Sequence, residues 1–216
     1  PLLSVGKQTS KVLLLIFLLT VILLPILINS GQVVLNPIVV AQQVTVVIAL
    51  LFFLYFVGLF IFGALSLSER KAFGAILLIC IASILFWAGF EQAGSSLNLF
   101  TRDFTNRLVA NFEIPTAWFQ SINSIFIIIL SPFFASLWIN LGKRLTQPYF
   151  GLKCAAGLLT MALGFIVMFF AAQVAASGLK VAPSWLITTY FLHTVGELCM
   201  SPVALSAISK LSPKRF

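Results

Sequence analysis

Charged residues are scarce in this chain of 216 residues. They make up 8% of the sequence, while hydrophobic residues make up 61% and the mean hydropathy is +1.12. A soluble domain usually carries about a quarter charged residues, so this shortage excludes an ordinary water-soluble domain. The apolar runs are continuous and helix-length rather than alternating with polar residues, which also excludes a transmembrane β-barrel. The composition therefore predicts an all-α polytopic membrane protein.

Metal ligands and catalytic side chains are few as well. The three cysteines, Cys80, Cys154 and Cys199, lie inside apolar runs, and His193 is the single histidine. This set has no spacing typical of a zinc site, and we interpret the cysteines as buried, unpaired thiols. The sequence also has no nucleophile–base pair and no phosphate-binding loop. We therefore expect neither enzyme activity, nor a metal ion, nor a cofactor.

Hydrophobic segments long enough to cross a hydrocarbon core of about 30 Å recur along the chain. They are 12–28, 43–67, 72–100, 115–140, 152–176 and 184–209. Of the 13 Lys and Arg residues, ten lie in one set of alternate links and three in the other. The positive-inside rule places the richer set, and both ends of the sequence, in the cytoplasm. Topology thus explains the net charge of +8, and no nucleic-acid partner is expected.

Two of the five acidic residues, Glu91 and Glu197, lie well inside predicted spans. A charged side chain near the centre of a lone membrane helix costs roughly 2.5–3.5 kcal/mol on insertion scales. These carboxylates must therefore face a bundle interior or a water-filled cavity. Two interpretations are open: a polar clasp between helices, or a carboxylate that binds a proton or a substrate, which is the default for intramembrane carboxylates.

Three predicted spans each carry a set of mostly polar residues whose spacing places them on one helical face. On 72–100 the set is Trp87, Glu91, Ser95, Asn98 and Arg102. On 115–140 it is Thr116, Gln120, Asn123, Ser124 and Ser131, and on 184–209 it is Thr189, His193, Glu197, Ser201 and Ala204. Three polar faces favour a solute pathway over a simple anchor.

Two side chains on these faces leave alternatives open. Asn123 both donates and accepts hydrogen bonds. In a cavity it would suit a peptide-like amide or a carboxylate, and in a packed bundle it would join two helices. His193 lies one turn from Glu197 and is either a titrating group or a packed, hydrogen-bonded histidine.

Backbone irregularity is expected close to both intramembrane glutamates. Gly89 and Gly94 bracket Glu91 and permit bending or close helix approach. Pro202 lacks a backbone donor, which frees the carbonyl near Leu198 and loosens the helix there.

Tryptophans divide into two groups. Trp118, Trp138 and Trp185 lie near predicted span ends, where an interfacial aromatic belt accounts for them. Trp87 lies deeper and on the same face as Glu91, so we assign it to a cavity wall.

Three stretches carry a family resemblance. "FWAGFEQAGSSLNLFTRDFTNR", "IPTAWFQSINSIFIIILSPFFASLW" and "GELCMSPVALSAISKLSP" occur in this order. Together they resemble successive signature stretches of the proton-dependent oligopeptide transporters, the POT family of the major facilitator superfamily. The resemblance spans about residues 69–213.

The resemblance implies a domain organisation. Residues 69–216 resemble part of the C-terminal half of a twelve-helix transporter, its seventh to tenth helices. Residues 1–68 resemble the extra helix pair that prokaryotic members insert between the two halves. The expected fold is thus an incomplete helix bundle of the major facilitator type. The first six helices, with the ExxER-type motif of the first, and the last two are absent from this sequence.

Functional roles also follow from the resemblance. Glu91 matches a carboxylate implicated in proton coupling, and Asp103 matches an acidic gate residue that pairs with a basic residue of the other half. The substrate-site matches are Trp87, Asn123, Glu197 and Ser201, with Glu197 engaging the peptide N-terminus and Asn123 contacting the peptide.

The resulting expectation is a proton-coupled symporter of di- and tripeptides that works by alternating access in a bacterial cytoplasmic membrane. Its partners would be small peptides, protons, lipid and the other half of the same protein. The alternatives are a related carrier of another small solute and a non-transporting membrane subunit. An anion-selective carrier would gain nothing from the negative charge of Glu197.

Overall fold

The computed structural model describes residues 36–63, 65–144 and 150–211, together with Leu19 and Ser30. The predicted span 12–28 lies outside the described residues apart from Leu19. The described helices are α1 (Pro37–Phe62), α2 (Leu67–Phe90), α3 (Ser96–Phe104), α4 (Thr116–Arg144), α5 (Phe150–Ala176) and α6 (Pro183–Leu211). A 3₁₀ turn, Glu91–Gly94, follows α2, and two short antiparallel strands, β1 (Leu108–Val109) and β2 (Phe112–Glu113), precede α4.

Long apolar helices dominate the described part of the chain, which confirms the all-α polytopic prediction. By length and composition, four segments of the described residues could cross a membrane: Pro37–Phe62, Leu67–Phe104, Thr116–Lys143 and Phe150–Ala176. The helix α6 is 29 residues long but is not among these four, and it carries buried Thr189, His193 and Thr194. The chain divides into two compact units, residues 1–64 and 65–216. The domain boundary after residue 68 stays a prediction.

The helix α1 begins six residues before the predicted segment 43–67. The Asn36 side chain accepts a hydrogen bond from the Ile38 backbone N–H, and Pro37 occupies the first turn. An Asn N-cap followed by Pro is a strong start signal. The predicted segment also extends to residue 67, whereas α1 ends at Phe62 and Leu67 is the first residue of α2. The predicted bounds were wrong because hydropathy does not register the caps that start these two helices.

The predicted span 72–100 is present but is not one regular helix. Ser66 and Glu69 form a capping box that starts α2 at Leu67, and α2 ends at Phe90. After the 3₁₀ turn, Ser95 has φ −119° and ψ −94°, and α3 begins at Ser96. A 3₁₀ turn has about 3.0 residues per turn instead of about 3.6. The predicted single face from Trp87 to Arg102 is therefore interrupted.

The Gln92 side chain organises this interruption. Its amide nitrogen donates to the Ala88 carbonyl at 3.2 Å, while its amide oxygen accepts from the hydroxyls of Ser95, at 3.2 Å, and Ser96. The polar residues of "EQAGSS" thus replace part of the backbone hydrogen bonding that the break removes.

The link between α3 and α4 is an ordered hairpin. Ala110 and Asn111 both have positive φ, 47° and 66°, which matches a two-residue turn between β1 and β2. Arg107 pairs with Glu113 and donates to the Ile114 carbonyl at 2.7 Å. Val181, in the link before α6, exchanges backbone hydrogen bonds with Phe104 and Asn106, both at 2.8 Å. This network fixes one end of the bundle formed by α2 to α6.

The helices α5 and α6 pack closely through glycines. A Cβ atom built on Gly157 would lie 3.1 Å from the Gly196 carbonyl oxygen, and one on Gly164 would lie 2.5 Å from the His193 ring. Small residues let helix backbones approach in this way. Around this pair lie two apolar clusters, one including Phe86, Met161 and Met200, the other Leu97, Phe119, Met168 and Leu186.

Candidate functional site

The centre of the candidate site is a hydrogen bond between α4 and α6. The Nδ2 atom of Asn123 lies 3.1 Å from Oε2 of Glu197 and 3.0 Å from Oγ1 of Thr194. Thr194 in turn donates to the Tyr190 carbonyl at 2.7 Å, so its oxygen is fixed in place to accept from Asn123. The structure thus brings together two of the predicted site residues from separate polar faces.

Glu197 is half-buried and has no cationic partner among the described residues. The two ion pairs in the described ranges join Arg102 to Asp103 and Arg107 to Glu113. The hydrogen bond from Asn123 engages one carboxylate oxygen of Glu197 and leaves the other to accept from a further donor. A half-buried carboxylate without a counter-ion is costly, which favours a cationic ligand here.

Close backbone packing holds Glu197 in position. A Cβ atom on the preceding Gly196 would lie 2.8 Å from Thr160 Oγ1, 2.9 Å from the Gly157 carbonyl oxygen and 2.9 Å from Phe86 Cε2. Gly196 therefore allows α6 to contact α2 and α5 at the turn that carries the carboxylate. A larger residue at position 196 would force these neighbours and α6 apart.

Trp87 lies at the C-terminal part of α2, on an exposed surface of the described chain. Its ring packs edge-on against Phe86 and Phe90, with centroid separations of 5.6 Å and 5.3 Å. Phe86 is fully buried and contacts the Gly196 region, so it anchors α2 against α6 and fixes the direction of Trp87. Gly89 meets Phe165 and Met161 of α5 closely, which confirms the predicted close helix approach.

The remaining predicted site residues lie at exposed positions of the described chain. Glu91 is the C-cap residue of α2 and the first residue of the 3₁₀ turn, and Ser201 lies one turn after Glu197 on α6. Asp103 accepts two hydrogen bonds from the adjacent Arg102, at 2.7 and 3.0 Å, and the Lys180 ammonium donates to its backbone carbonyl at 2.9 Å. Within the described ranges, no hydrogen bond or ion pair joins Glu91 or Asp103 to Asn123 or Glu197. Their roles stay predictions.

His193 is a packed residue in this structure. It is 1% exposed, its ring lies 5.0 Å from that of Phe165, and its Nε2 atom has no hydrogen-bond partner in the described chain. The structure thus confirms that His193 is packed inside the bundle. It does not confirm that both ring nitrogens are hydrogen-bonded. All three cysteines are free thiols, with Cys154 and Cys199 buried and Cys80 half-buried.

Two residues that form hydrogen bonds in the site, Thr194 and Trp138, were not predicted as site residues from the sequence. Thr194, the second acceptor for Asn123, lies three residues before Glu197, a spacing that places it near the glutamate on α6. Trp138, expected only as an interfacial residue, donates its indole N–H to the Leu198 carbonyl at 3.4 Å. That carbonyl is the one that Pro202 leaves without a backbone donor, so Trp138 satisfies an acceptor of α6 next to Glu197.

The chain has relatives among bacterial transporters and their solved structures. It is 41% identical over 198 residues to "Peptide transporter YePEPT" of Yersinia enterocolitica subsp. palearctica, covering 91% of this chain and 39% of that protein. A crystal structure of "peptide transporter POT in complex with sulfate" superposes with a TM-score of 0.79 at 36% identity, covering 99% of this chain and 42% of that one. A "POT family transporter in complex with thioalcohol conjugated peptide" has a TM-score of 0.76 at 25% identity, covering 97% and 43%.

The matches cover nearly all of this chain but less than half of each relative. It spans about two fifths of the length of these relatives. The apolar helices and the bacterial relatives make it part of a multi-pass protein of the cell membrane, with a helix bundle of the major facilitator type. The family model described as "PTR2: POT family" matches residues 60–216. The chain therefore belongs to the POT family.

Proposed function

We propose that this chain is part of a proton-coupled peptide symporter. It would form the wall of the substrate site that belongs to the C-terminal half of that transporter. The observation that carries the proposal is the half-buried carboxylate of Glu197, held by Asn123 at 3.1 Å and lacking a cation among the described residues. The names of the relatives support the substrate class, because one is a peptide transporter and another holds a peptide conjugate.

The chemistry of a small peptide fits this arrangement. A dipeptide carries an ammonium group at one end, a carboxylate at the other and an amide between them. The free oxygen of Glu197 would accept from the ammonium group, while Asn123 fixes the carboxylate and offers its own carbonyl to a peptide N–H. The peptide carboxylate needs basic groups, which the other half of the transporter would supply across the site between the two repeats.

Trp87 and Ser201 would complete the pocket on this side. Trp87 presents an indole from α2 next to the Phe86 anchor, a surface suited to apolar peptide side chains. Ser201 follows Glu197 by one turn of α6, so its hydroxyl lies on the same helical face. Both side chains are exposed in the described chain, as wall residues of an open site must be.

Proton coupling would operate at Glu91, and the outer gate at Asp103. Protonation of Glu91 removes a charge and weakens any ion pair to the other half, which would bias outward-open against inward-open states. Glu91 lies at the break after α2, so a small rotation of the following segment would change its surroundings. Asp103 would exchange its Arg102 contact for a basic residue of the other half when the outside closes.

Uptake of a labelled dipeptide into liposomes tests this proposal. The full-length protein that carries this chain should accumulate dipeptide when an inward proton gradient is imposed. The Glu91→Gln variant should lose accumulation but keep exchange of internal for external peptide. The matched control is Glu113→Gln, which removes an exposed acid in β2 and should accumulate peptide normally.

Two results would contradict the proposal. Absence of dipeptide uptake by a folded parent protein would move the assignment to another solute or to a non-transporting role. Undiminished accumulation by Glu91→Gln would remove the proton-coupling role of that residue.

A further inference from the structure

A cavity outside the proposed substrate site lies where the ends of three helices meet. Its volume is about 120 Å³. One water molecule needs about 10–15 Å³, roughly a tenth of this volume. It is lined by the C-terminal part of α4, the first turn of α5 and the last turns of α6. The lining residues are Trp138, Leu141, Gly142, Phe150, Lys153, Ser206 and Lys210.

Two ammonium groups line this cavity without an acidic partner. In the described ranges, neither Lys153 nor Lys210 forms an ion pair. Of the five acidic residues, three are near the opposite end of the bundle, and Glu197 lies in the middle of α6. The fifth, Glu69, accepts hydrogen bonds from the Ser66 backbone N–H and hydroxyl at the start of α2. The positive charge at the cavity is thus not neutralised by described acidic residues.

The position of Lys153 is built into the fold. Pro202 frees the Leu198 carbonyl, Trp138 donates its indole N–H to it at 3.4 Å, and the indole is held in one orientation as a result. The Lys153 Nζ atom lies 4.3 Å from the centroid of that ring. This cation–π contact fixes the ammonium at the cavity wall.

The other polar groups of the lining are already engaged. Ser206 donates its hydroxyl to the Pro202 carbonyl at 2.5 Å, and the indole N–H of Trp138 is used by Leu198. Among the side chains that line the cavity in the described chain, the two ammonium groups are therefore the free donors. A cavity of this volume, with two cations and no acidic partner among the described residues, has room and charge for one small, compact anion.

We propose that this cavity, between Lys153 and Lys210, binds the phosphate group of an anionic phospholipid from the inner leaflet or a free phosphate ion. Basic pockets between membrane helices on the cytoplasmic side bind anionic lipid headgroups. The positive-inside distribution places this end of the bundle at that surface. The bound anion would join the ends of α4, α5 and α6 and so stabilise the packing behind Glu197.

Lipid retention and thermal stability of the full-length protein test this proposal. Native mass spectrometry would compare retention of phosphatidylglycerol with that of phosphatidylcholine, and unfolding temperatures would be measured with and without inorganic phosphate. The variants are Lys153→Gln, Lys210→Gln and the double variant. Lys143→Gln, which removes a charge near the end of α4 outside the cavity lining, is the matched control, and Lys153→Arg tests rescue by another cation.

The proposal predicts that each single Gln variant weakens anion binding roughly tenfold, because each removes one charge-assisted hydrogen bond. Lys143→Gln should stay within about twofold of the parent, since its charge does not contact the anion. Selective retention of phosphatidylglycerol identifies the lipid as the source, and stabilisation by phosphate without lipid selectivity identifies the free ion. Absence of both effects, or equal losses in Lys143→Gln and the double variant, would overturn the proposal.

Discussion

The indole N–H of Trp138 donates to the backbone carbonyl of Leu198, 60 residues along the chain and on a different helix. Pro202 is four residues after Leu198 and has no N–H to offer this carbonyl. The helix α6 can therefore be irregular one turn after Glu197 without leaving an unsatisfied backbone acceptor. A single side chain on α4 links the geometry of the candidate substrate site to that of the basic cavity.

The Trp138–Leu198 hydrogen bond should appear as an energetic coupling to Pro202. Trp138→Phe leaves the Leu198 carbonyl without its donor, and we expect a loss of about 1–3 kcal/mol in the free energy of unfolding. Pro202→Ala restores a backbone N–H, so Trp138→Phe should cost less in that background. A double-mutant cycle by denaturant unfolding in detergent measures the difference. Equal costs in both backgrounds would show that the hydrogen bond does not stabilise α6.

The Gly164–His193 contact should make Gly164 intolerant of any side chain. A Cβ atom there would lie 2.5 Å from His193 Cδ2 and Nε2. Gly164→Ala should therefore lower the free energy of unfolding by about 1–3 kcal/mol through overpacking. Gly151→Ala is the matched control on the same helix, because a Cβ atom there meets nothing within 4 Å. It should be neutral or stabilising by about 0.5–1 kcal/mol. Similar thermal shifts for both variants would contradict the close packing of α5 and α6.

Two roles for Asn123 can be separated by its two hydrogen-bond partners. If Asn123 fixes Glu197 for substrate binding, Asn123→Ala should raise the KM for dipeptide roughly tenfold, since a hydrogen bond to a charged group is lost. Thr194→Val removes the other acceptor but leaves the hydrogen bond from Asn123 to Glu197 available. Loss of one uncharged hydrogen bond should keep the KM within about threefold of the parent. Initial uptake rates over a range of dipeptide concentrations measure both values. Equal effects of the two variants would instead support a clasp between α4 and α6.

Hydropathy predicted the last two described helices closely because it records which segments avoid water. The segment predicted as 152–176 is the helix Phe150–Ala176, and 184–209 is Pro183–Leu211. The glycines on either side of Glu91 indicated an irregular backbone, and the 3₁₀ turn Glu91–Gly94 lies there. Hydropathy does not report local hydrogen bonding, so the role of Gln92 in this turn was not predicted. The Asn36–Pro37 start of α1 was available as a capping signal and was not used.

The candidate site was predictable by residue type but not by pairing. Intramembrane polarity singles out Asn123 and Glu197, because each is costly in lipid. Their contact depends on the rotation of α4 and α6 about their axes, which the 74-residue separation in the sequence does not encode. Trp138 was assigned to the membrane interface for the same reason, since its partner carbonyl becomes visible only when the helices are placed side by side.

Recognition of a substrate ammonium by Glu197 is the central claim and is tested most directly by comparing a free dipeptide with its N-acetylated form as competitors of uptake. The parent full-length protein should bind the free dipeptide roughly 30-fold or more tightly, because acetylation removes one partner of a half-buried charge pair. In Glu197→Gln this preference should fall to about threefold or less, while the Glu113→Gln control keeps it. A preference that is unchanged in Glu197→Gln would contradict the assignment of the ammonium site to Glu197.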